Sequence, residues 1–356
     1  MTSLRLIAPQ TKGHTSVATL TDYWYVACRS SELGKQPLAR TVLGVPLVVF
    51  RAAGGRAAVM LDRCPHRNVP LSEGTVRDGT LECAYHGWRF DADGQCRLIP
   101  GLCEATPPKG RHNTAYRVVE QDGLVWVFMN PEVEPTVSPH ALPHLHDPRY
   151  ASVHQDLDMP CTVHACAENA LDVPHTAFLH RGLFRGASSK RSRIKAVVKR
   201  TRSGVEAEYV GESRPGGLAG RILAPRGGVV THFDRFLMPS IAQVEYRLGD
   251  AHLLVNAIFT PISDFLTRQY GVVSWRLPVP PRVVQTAMTP VVSRILKQDA
   301  AMLALQTRNI QRFGGEQYVS TEIDVLGPEI WRLMKAAERG QLSSVKEESY
   351  SVDLEV

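Results

Sequence analysis

The chain has 356 residues, 44% of them hydrophobic and 21% charged, with a net charge of +6; that is enough for two ordinary domains and is the balance of a globular protein. Its strongest apolar run, Leu43 to Phe50, falls far short of the roughly 20 residues a membrane-spanning helix needs, and the N-terminal stretch lacks the apolar core of a secretory signal. Seven cysteines, an odd number scattered from Cys28 to Cys166, do not read as a disulfide framework and point to a reducing, cytoplasmic setting; the positive charge comes without any nucleic-acid-binding motif.

Residues 1–20 carry no strong period and are expected to form an N-terminal segment. From residue 21 to 130 the text is short apolar runs split by turn residues, such as Asp22 to Ser30, Thr41 to Gly55 and Leu124 to Asn130, the pattern of a small all-β domain. Residues 131–149 hold prolines at 131, 135, 139, 143 and 148 and no apolar period, so they are expected to be a surface linker whose His140, His144 and His146 are solvated. A second domain, 150–340, opens with a strand at Tyr150 to Met159 and continues with antiparallel-style runs. One of them alternates Ile241, Gln243, Glu245 and Arg247 with Ala242, Val244, Tyr246 and Leu248, which predicts one wet face and one covered face. From about Arg282 to Arg312 the period becomes helical, and Gly314-Gly315 stops it. Residues 341–356 are expected to be a loosely ordered polar tail.

Two short clips stand out in the first domain: Cys64 with His66, and Cys83 with His86. Four such ligands can hold structural zinc. Against zinc, both clips interrupt β-patterned text, and two thiolates with two imidazoles are the set that holds the two irons of a Rieske [2Fe-2S] cluster. With Pro65, Arg67 and the run Tyr85-His86-Gly87-Trp88, the segment resembles a Rieske iron–sulfur domain. Asn68 and Ala84 occupy the neighbourhood where respiratory Rieske proteins carry extra cysteines, so it is similar to the oxygenase type. An electron carrier is the rival reading, but a carrier needs only about 100 residues.

Between Glu168 and His180, Asp172, His175 and His180 follow at spacings of three and five. Asp172 and His175 share a helix face, whereas His180 would point about 140° away on a straight helix, so convergence needs a break, which Pro174 can supply. In the C-terminal helix, Asp299 lies on the stripe of Val292, Ile295, Leu296, Met302 and Leu303; a carboxylate there needs a positive partner. Two His and a carboxylate match the facial triad of non-haem Fe(II) sites.

With the Rieske segment upstream, and with Asn169-Ala170-Leu171-Asp172 followed by His175 and His180 and Gln298-Asp299 followed by Gln306, residues 20–315 resemble the terminal (α) component of a Rieske non-haem iron oxygenase. The resemblance implies an α+β chain: an all-β Rieske domain, then an antiparallel sheet gripping a long helix. It implies His175, His180 and Asp299 as ligands of Fe(II), and Asp172 as the bridge taking electrons from His86 of a neighbouring subunit in a homotrimer. It also implies O2 as cosubstrate and a ferredoxin or an NAD(P)H-dependent reductase as partner. The basic run from Arg181 to Arg202, with Lys190, Arg191 and Arg193, is a candidate dock for an acidic ferredoxin, and the Gly-rich segment 214–228 a candidate lid. Phe178, Leu183, Phe184, Phe236, Met238, Tyr246, Leu254, Ile258 and Phe259 suggest an apolar pocket. The expected reaction is hydroxylation or oxidative demethylation of a bulky apolar, sterol-like molecule, with an aromatic acid as the alternative.

Overall fold

The computed structural model describes residues 17–102, 110–180, 193–212 and 228–355. It divides into two compact units, one built on Thr21–Ala141 and the other on Leu142–Val356 together with residues 17–20. The basic positions 181–192, the Gly-rich positions 214–227, and Leu183 and Phe184 lie outside the described residues.

The first unit is all β. Strands β1 (Trp24–Arg29), β2 (Leu38–Val42), β3 (Val45–Arg51), β4 (Ala57–Leu61), β9 (Ala115–Gln121) and β10 (Leu124–Phe128) form a sheet in the order β1-β10-β9-β4-β3-β2. A smaller sheet joins β5 (Thr75–Arg77), β6 (Thr80–Glu82), β7 (Arg89–Phe90) and β8 (Cys96–Leu98) in sequence. Two-residue turns close the hairpins at Leu43-Gly44 and Asp122-Gly123, with φ of 52°, 74°, 54° and 73°. Left-handed pairs of this kind match the twist of the flanking strands. Leucine is a poor occupant of that conformation, and full burial of Leu43, 1% exposed, offsets the strain. Between the sheets lies a core of Val48, Phe50, Met60, Leu71, Leu81 and Phe90, to which Cys64 and Cys83 also belong. The loop after β4 and the loop between β6 and β7 are thereby pinned at their cysteines.

The second unit is an eight-stranded antiparallel sheet with helices. Its strands are β11 (Ala151–Met159), β12 (Arg193–Arg200), β13 (Gly204–Val210), β14 (Val230–Leu237), β15 (Ile241–Leu248), β16 (Ala251–Ser263), β17 (Leu266–Arg276) and β18 (Glu348–Glu355), ordered β11-β17-β16-β15-β14-β13-β12-β18. The helices are α1 (Val163–Ala170), the single turn α2 (Thr176–Leu179), the 33-residue α3 (Pro281–Phe313) and α4 (Gly327–Glu338). Proline at its start and Gly314 at φ 82° after its end delimit α3, as capping rules require. Val284 and Val292 of α3 pack on Val153, Val273 and Trp275 of β11 and β17, so the sheet grips the first half of the long helix.

Two expectations are corrected here. The C-terminal stretch is not a loose tail: β18 pairs with β12 from Ile194↔Leu354 to Arg200↔Glu348. Tyr350, Val352 and Leu354 alternate with exposed Ser349, Ser351, Asp353 and Glu355; one wet face made an edge strand read as polar. Nor is the Gln243–Glu245 face of β15 wet, since both residues are 8% exposed. Gln243 donates to Asn256, and Glu245 accepts from Arg235 at 2.7 Å and faces His252 at 3.1 Å. Polar side chains can be buried where they satisfy one another.

Candidate functional site

In the first unit the two clips are the same turn used twice. The Asn68 N–H donates to the Cys64 carbonyl and the Gly87 N–H to the Cys83 carbonyl, and each turn closes on a left-handed residue, Asn68 at φ 63° and Gly87 at φ 68°. Asparagine is among the few side chains that tolerate this conformation. The thiols point inward, 2% and 3% exposed, whereas His66 is half-buried and His86 exposed. The imidazoles meet edge-on with centroids 4.6 Å apart, and Trp88 stacks on His66 at 4.8 Å. Burial pushes the Cys64 thiol up to about 11, against the N–H groups of His66 and Arg67 aimed at its sulfur. A buried thiol is made a ligand by the metal that displaces its proton. The Nδ1 of His66 is buried without a hydrogen-bond partner. That orphaned nitrogen beside two buried thiols fits a cluster held by both clips.

In the second unit α1 ends at Ala170, and the chain turns through Leu171 to Pro174 before α2 begins. His175 and His180 flank this one-turn helix. Their convergence therefore comes from a helix broken and restarted, not from a kink in a continuous one. The Nε2 atoms of His175 and His180 are 3.3 Å apart, and the Oδ1 atom of Asp299 lies 3.7 Å and 3.1 Å from them. Donors at right angles around an ion about 2.1 Å away would stand about 3.0 Å apart. Asp299 Oδ1 is buried and lacks a hydrogen-bond partner, although two imidazoles face it. Three donor atoms thus point at a common centre, close enough together among the described residues to hold one ion. The linker histidines form no such group there; His144 stacks on Tyr150 at 4.4 Å.

The remaining ring nitrogens are occupied. His175 Nδ1 lies 2.5 Å from the Asp172 carbonyl oxygen and 3.3 Å from its Oδ2, and His180 Nδ1 lies 3.0 Å from Gln298 Oε1. Both contacts place the proton on Nδ1 and free Nε2 for a metal. Burial opposes charge on His175, but the Asp172 and Asp299 carboxylates outweigh it and raise its pKa to about 9. Burial also works to raise Asp299, and the two imidazoles hold it below its usual range. Metal binding must then displace a proton held at His175.

Sequence reasoning saw Gln298 only as a neighbour of Asp299; its contact with His180 places both on one turn of α3. It missed His232, 1% exposed and stacked between Tyr209 and Tyr246, with Nδ1 3.2 Å from Glu212 and Nε2 3.0 Å from Asp234. Three consecutive strands bring Tyr209, His232 and Tyr246 side by side, and no local spacing reveals that. The expected apolar pocket is not assembled as read. Leu254 and Ile258 lie on the opposite sheet face from Leu253 and Val255, which pack with the α3 cluster. Phe236 and Phe259 are fully buried core and Phe178 is 69% exposed. A cavity of about 640 Å³ lies beside Asp172, lined by Glu168, Tyr209, Gln306 and Asp324 among others.

A surface-facing Cys₂His₂ pair of turns on a β-domain, joined to a helix-gripping sheet with a two-histidine, one-carboxylate centre, defines the Rieske-type oxygenase class. Residues 23–109 match the Rieske [2Fe-2S] domain and residues 159–339 the vanillate O-demethylase oxygenase C-terminal domain. The chain belongs to this family of Rieske oxygenases. Dicamba O-demethylase, oxygenase component, from Stenotrophomonas maltophilia is 37% identical over 161 residues, 44% of this chain and 47% of that one; the chain thus spans about half the length of that relative. The vanillate O-demethylase oxygenase subunit of Pseudomonas sp. (strain HR199 / DSM 7063) is 27% identical over 344 residues, covering 87% of this chain and 92% of that one. The crystal structure of dicamba monooxygenase bound to 3,6-dichlorosalicylic acid superposes with a TM-score of 0.76 at 24% identity, covering 93% of this chain and all of that one, and shares the fold. No helix among the described residues is long and apolar enough to cross a membrane.

Proposed function

We propose that this chain is a terminal oxygenase that oxidises a small aromatic molecule, by O-demethylation or ring hydroxylation, at an iron held by His175, His180 and Asp299. The observation that carries the reading is the convergence of those three donor atoms, with both Nδ1 atoms turned away to protein acceptors. The sterol-like expectation is withdrawn: the relatives are named for dicamba and vanillate, and an aromatic substrate replaces it. A carrier without oxygenase chemistry would have no use for a second unit with its own donor set.

Cys64, His66, Cys83 and His86 would hold the Rieske cluster, with the exposed His86 edge as its outlet. Iron in such a centre supplies reductive activation of O2. Asp172 orients the His175 ring through its backbone carbonyl, while its carboxylate accepts from the backbone N–H of His175 at 3.2 Å. With its side chain 30% exposed, it remains open to His86 of a neighbouring subunit, the contact a homotrimer would make. Gln298 fixes the tautomer of His180, and burial of His180 and Asp299 keeps bulk water from two of the three donors. Electrons would come from a ferredoxin or an NAD(P)H-dependent reductase, in the cytoplasm.

The test is electron paramagnetic resonance with iron and acid-labile sulfide analysis on anaerobically reduced protein. A Rieske signal with iron and sulfide near 3:2 is expected, two irons in the cluster and one outside it. All iron accounted for by the cluster would leave a carrier, and zinc without sulfide would overturn both centres. Turnover with a surrogate reductase on methoxybenzoates then identifies the reaction by formaldehyde release or ring hydroxylation.

A further inference from the structure

His164 and Glu168 stand one helical turn apart on α1, and Asp172 follows four residues on, just past the helix end at Ala170. His164 is 3% exposed; its Nε2 lies 2.9 Å from the Gly327 carbonyl and its Nδ1 3.8 Å from Glu168. Burial pushes its pKa down, so it offers Glu168 no positive charge. The Glu168 carboxyl is seated against Gly327, where an added Cβ would stand 2.0 Å from Oε1. Glu168 and Asp172 line the same cavity, together with Asp324, Gln306 and Asn309, and the buried Oε1 of Gln306 has no hydrogen-bond partner.

We propose that Glu168 is a positioning residue for Asp172: uncharged, it spares Asp172 an anionic neighbour, and its ionisation slows electron arrival at the metal donors that Asp172 serves. This rests on the reading of Asp172 as the electron bridge. The groups facing Glu168 favour the uncharged form. Asp172 on its own chain segment, and Asp324 and Glu316 on the segment before α4, are acidic; Gln306 and Asn309 of α3, Tyr209 of β13 and Tyr318, whose hydroxyl burial keeps protonated, bring no charge. Burial and then the Asp324, Asp172 and Glu316 carboxylates raise Glu168 to about 7. The N-terminal turn of α4 at Gly327 acts in the opposite sense, since a helix start favours an anion, and Lys335 of that helix acts on His164. An electron arriving beside Asp172 adds negative charge, so a second carboxylate on the wall of the same cavity opposes it.

The experiment follows single-turnover electron transfer from the reduced cluster in iron-loaded wild type, Glu168→Gln and Asp172→Ala between pH 6 and 8.5. In parallel, infrared difference spectra follow the protonated-carboxyl band over the same range. Wild type should slow about tenfold as Glu168 ionises, the scale of one unit of coupling between neighbouring charges. Glu168→Gln should be fast and flat, and the band that titrates near neutrality should be missing from it. An unchanged alkaline decline in Glu168→Gln overturns the proposal. So does a wild-type spectrum without a carboxyl titrating near neutrality, an outcome that does not depend on how well the variant folds. Unimpaired transfer in Asp172→Ala would remove the bridge itself and overturn the proposal with it, a failure distinguished from the others by an unchanged carboxyl titration in the infrared spectra.

Discussion

Replacing Gln298 with alanine isolates what the protein contributes to one proposed iron ligand, His180, without touching that residue. His180 is 2% exposed and its Nδ1 lies 3.0 Å from Gln298 Oε1. In Gln298→Ala that N–H loses this acceptor, and a buried donor left unpaired costs about 1–3 kcal/mol. Without that acceptor the ring is expected to shift or change tautomer, which withdraws Nε2 from the position 3.1 Å from Asp299 Oδ1. Loss of such a supporting contact lowers metal affinity about 10–100-fold, or about 1.4–2.8 kcal/mol. Gln298→Glu keeps an acceptor and makes the imidazole more basic, so it should bind at least as tightly as wild type. The assay is anaerobic Fe(II) titration of iron-depleted protein against a competing chelator, with the Rieske signal as an internal control that the first unit is intact. Affinity of Gln298→Ala within twofold of wild type would show that the contact does not hold the ring.

Asp172→Ala should retain both metal centres and lose at least tenfold in single-turnover product formation; undiminished product would show that electrons do not pass this way. Leu354→Ala, at a site 3% exposed on β18, should cost about 2–5 kcal/mol in denaturant unfolding, whereas a change within about 0.5 kcal/mol would mean the strand contributes little. His232 feels burial as an opposing effect, but Asp234 and Glu212 raise its pKa from 6.5 to about 9. Its contribution to stability is therefore complete below about pH 6.5 and fades as pH rises through about 9. His232→Asn should lack that part of the pH dependence of the melting temperature, and an identical profile in the variant would assign the slope elsewhere.

Legibility in the sequence followed the range of the interaction. The Rieske domain was readable because each clip is a closed local turn with its Cys and His within four residues of each other. The long α3 was readable from its period and from the glycines after it. His175 and His180 were harder, because helical spacing alone sets them apart; only the restart at Thr176 turns them inward. Gln298 and Asp299 were visible as a pair, yet the partner of Gln298 is 118 residues away. The Tyr209–His232–Tyr246 stack depends on strand register, which no local pattern records. Gln243 and Glu245 misled because their partners come from β14 and β16, and β18 misled because composition outweighed alternation.

The single helical turn between the two proposed iron-binding histidines is held by little of its own. α2 has four residues, no side-chain cap and no buried member, and isolated helices of that length do not persist in water. A chain folded without iron would keep its sheet and α3 and the buried Leu171, Val173 and His180, while the one-turn helix between them, with Ala177 and Phe178 exposed, opened more readily. The ion would complete the tertiary structure as well as the chemistry. Iron supply during production then becomes a determinant of homogeneity: protein made in iron-poor medium should be cut by proteases in this stretch first, and late addition of Fe(II) under anaerobic conditions should close it.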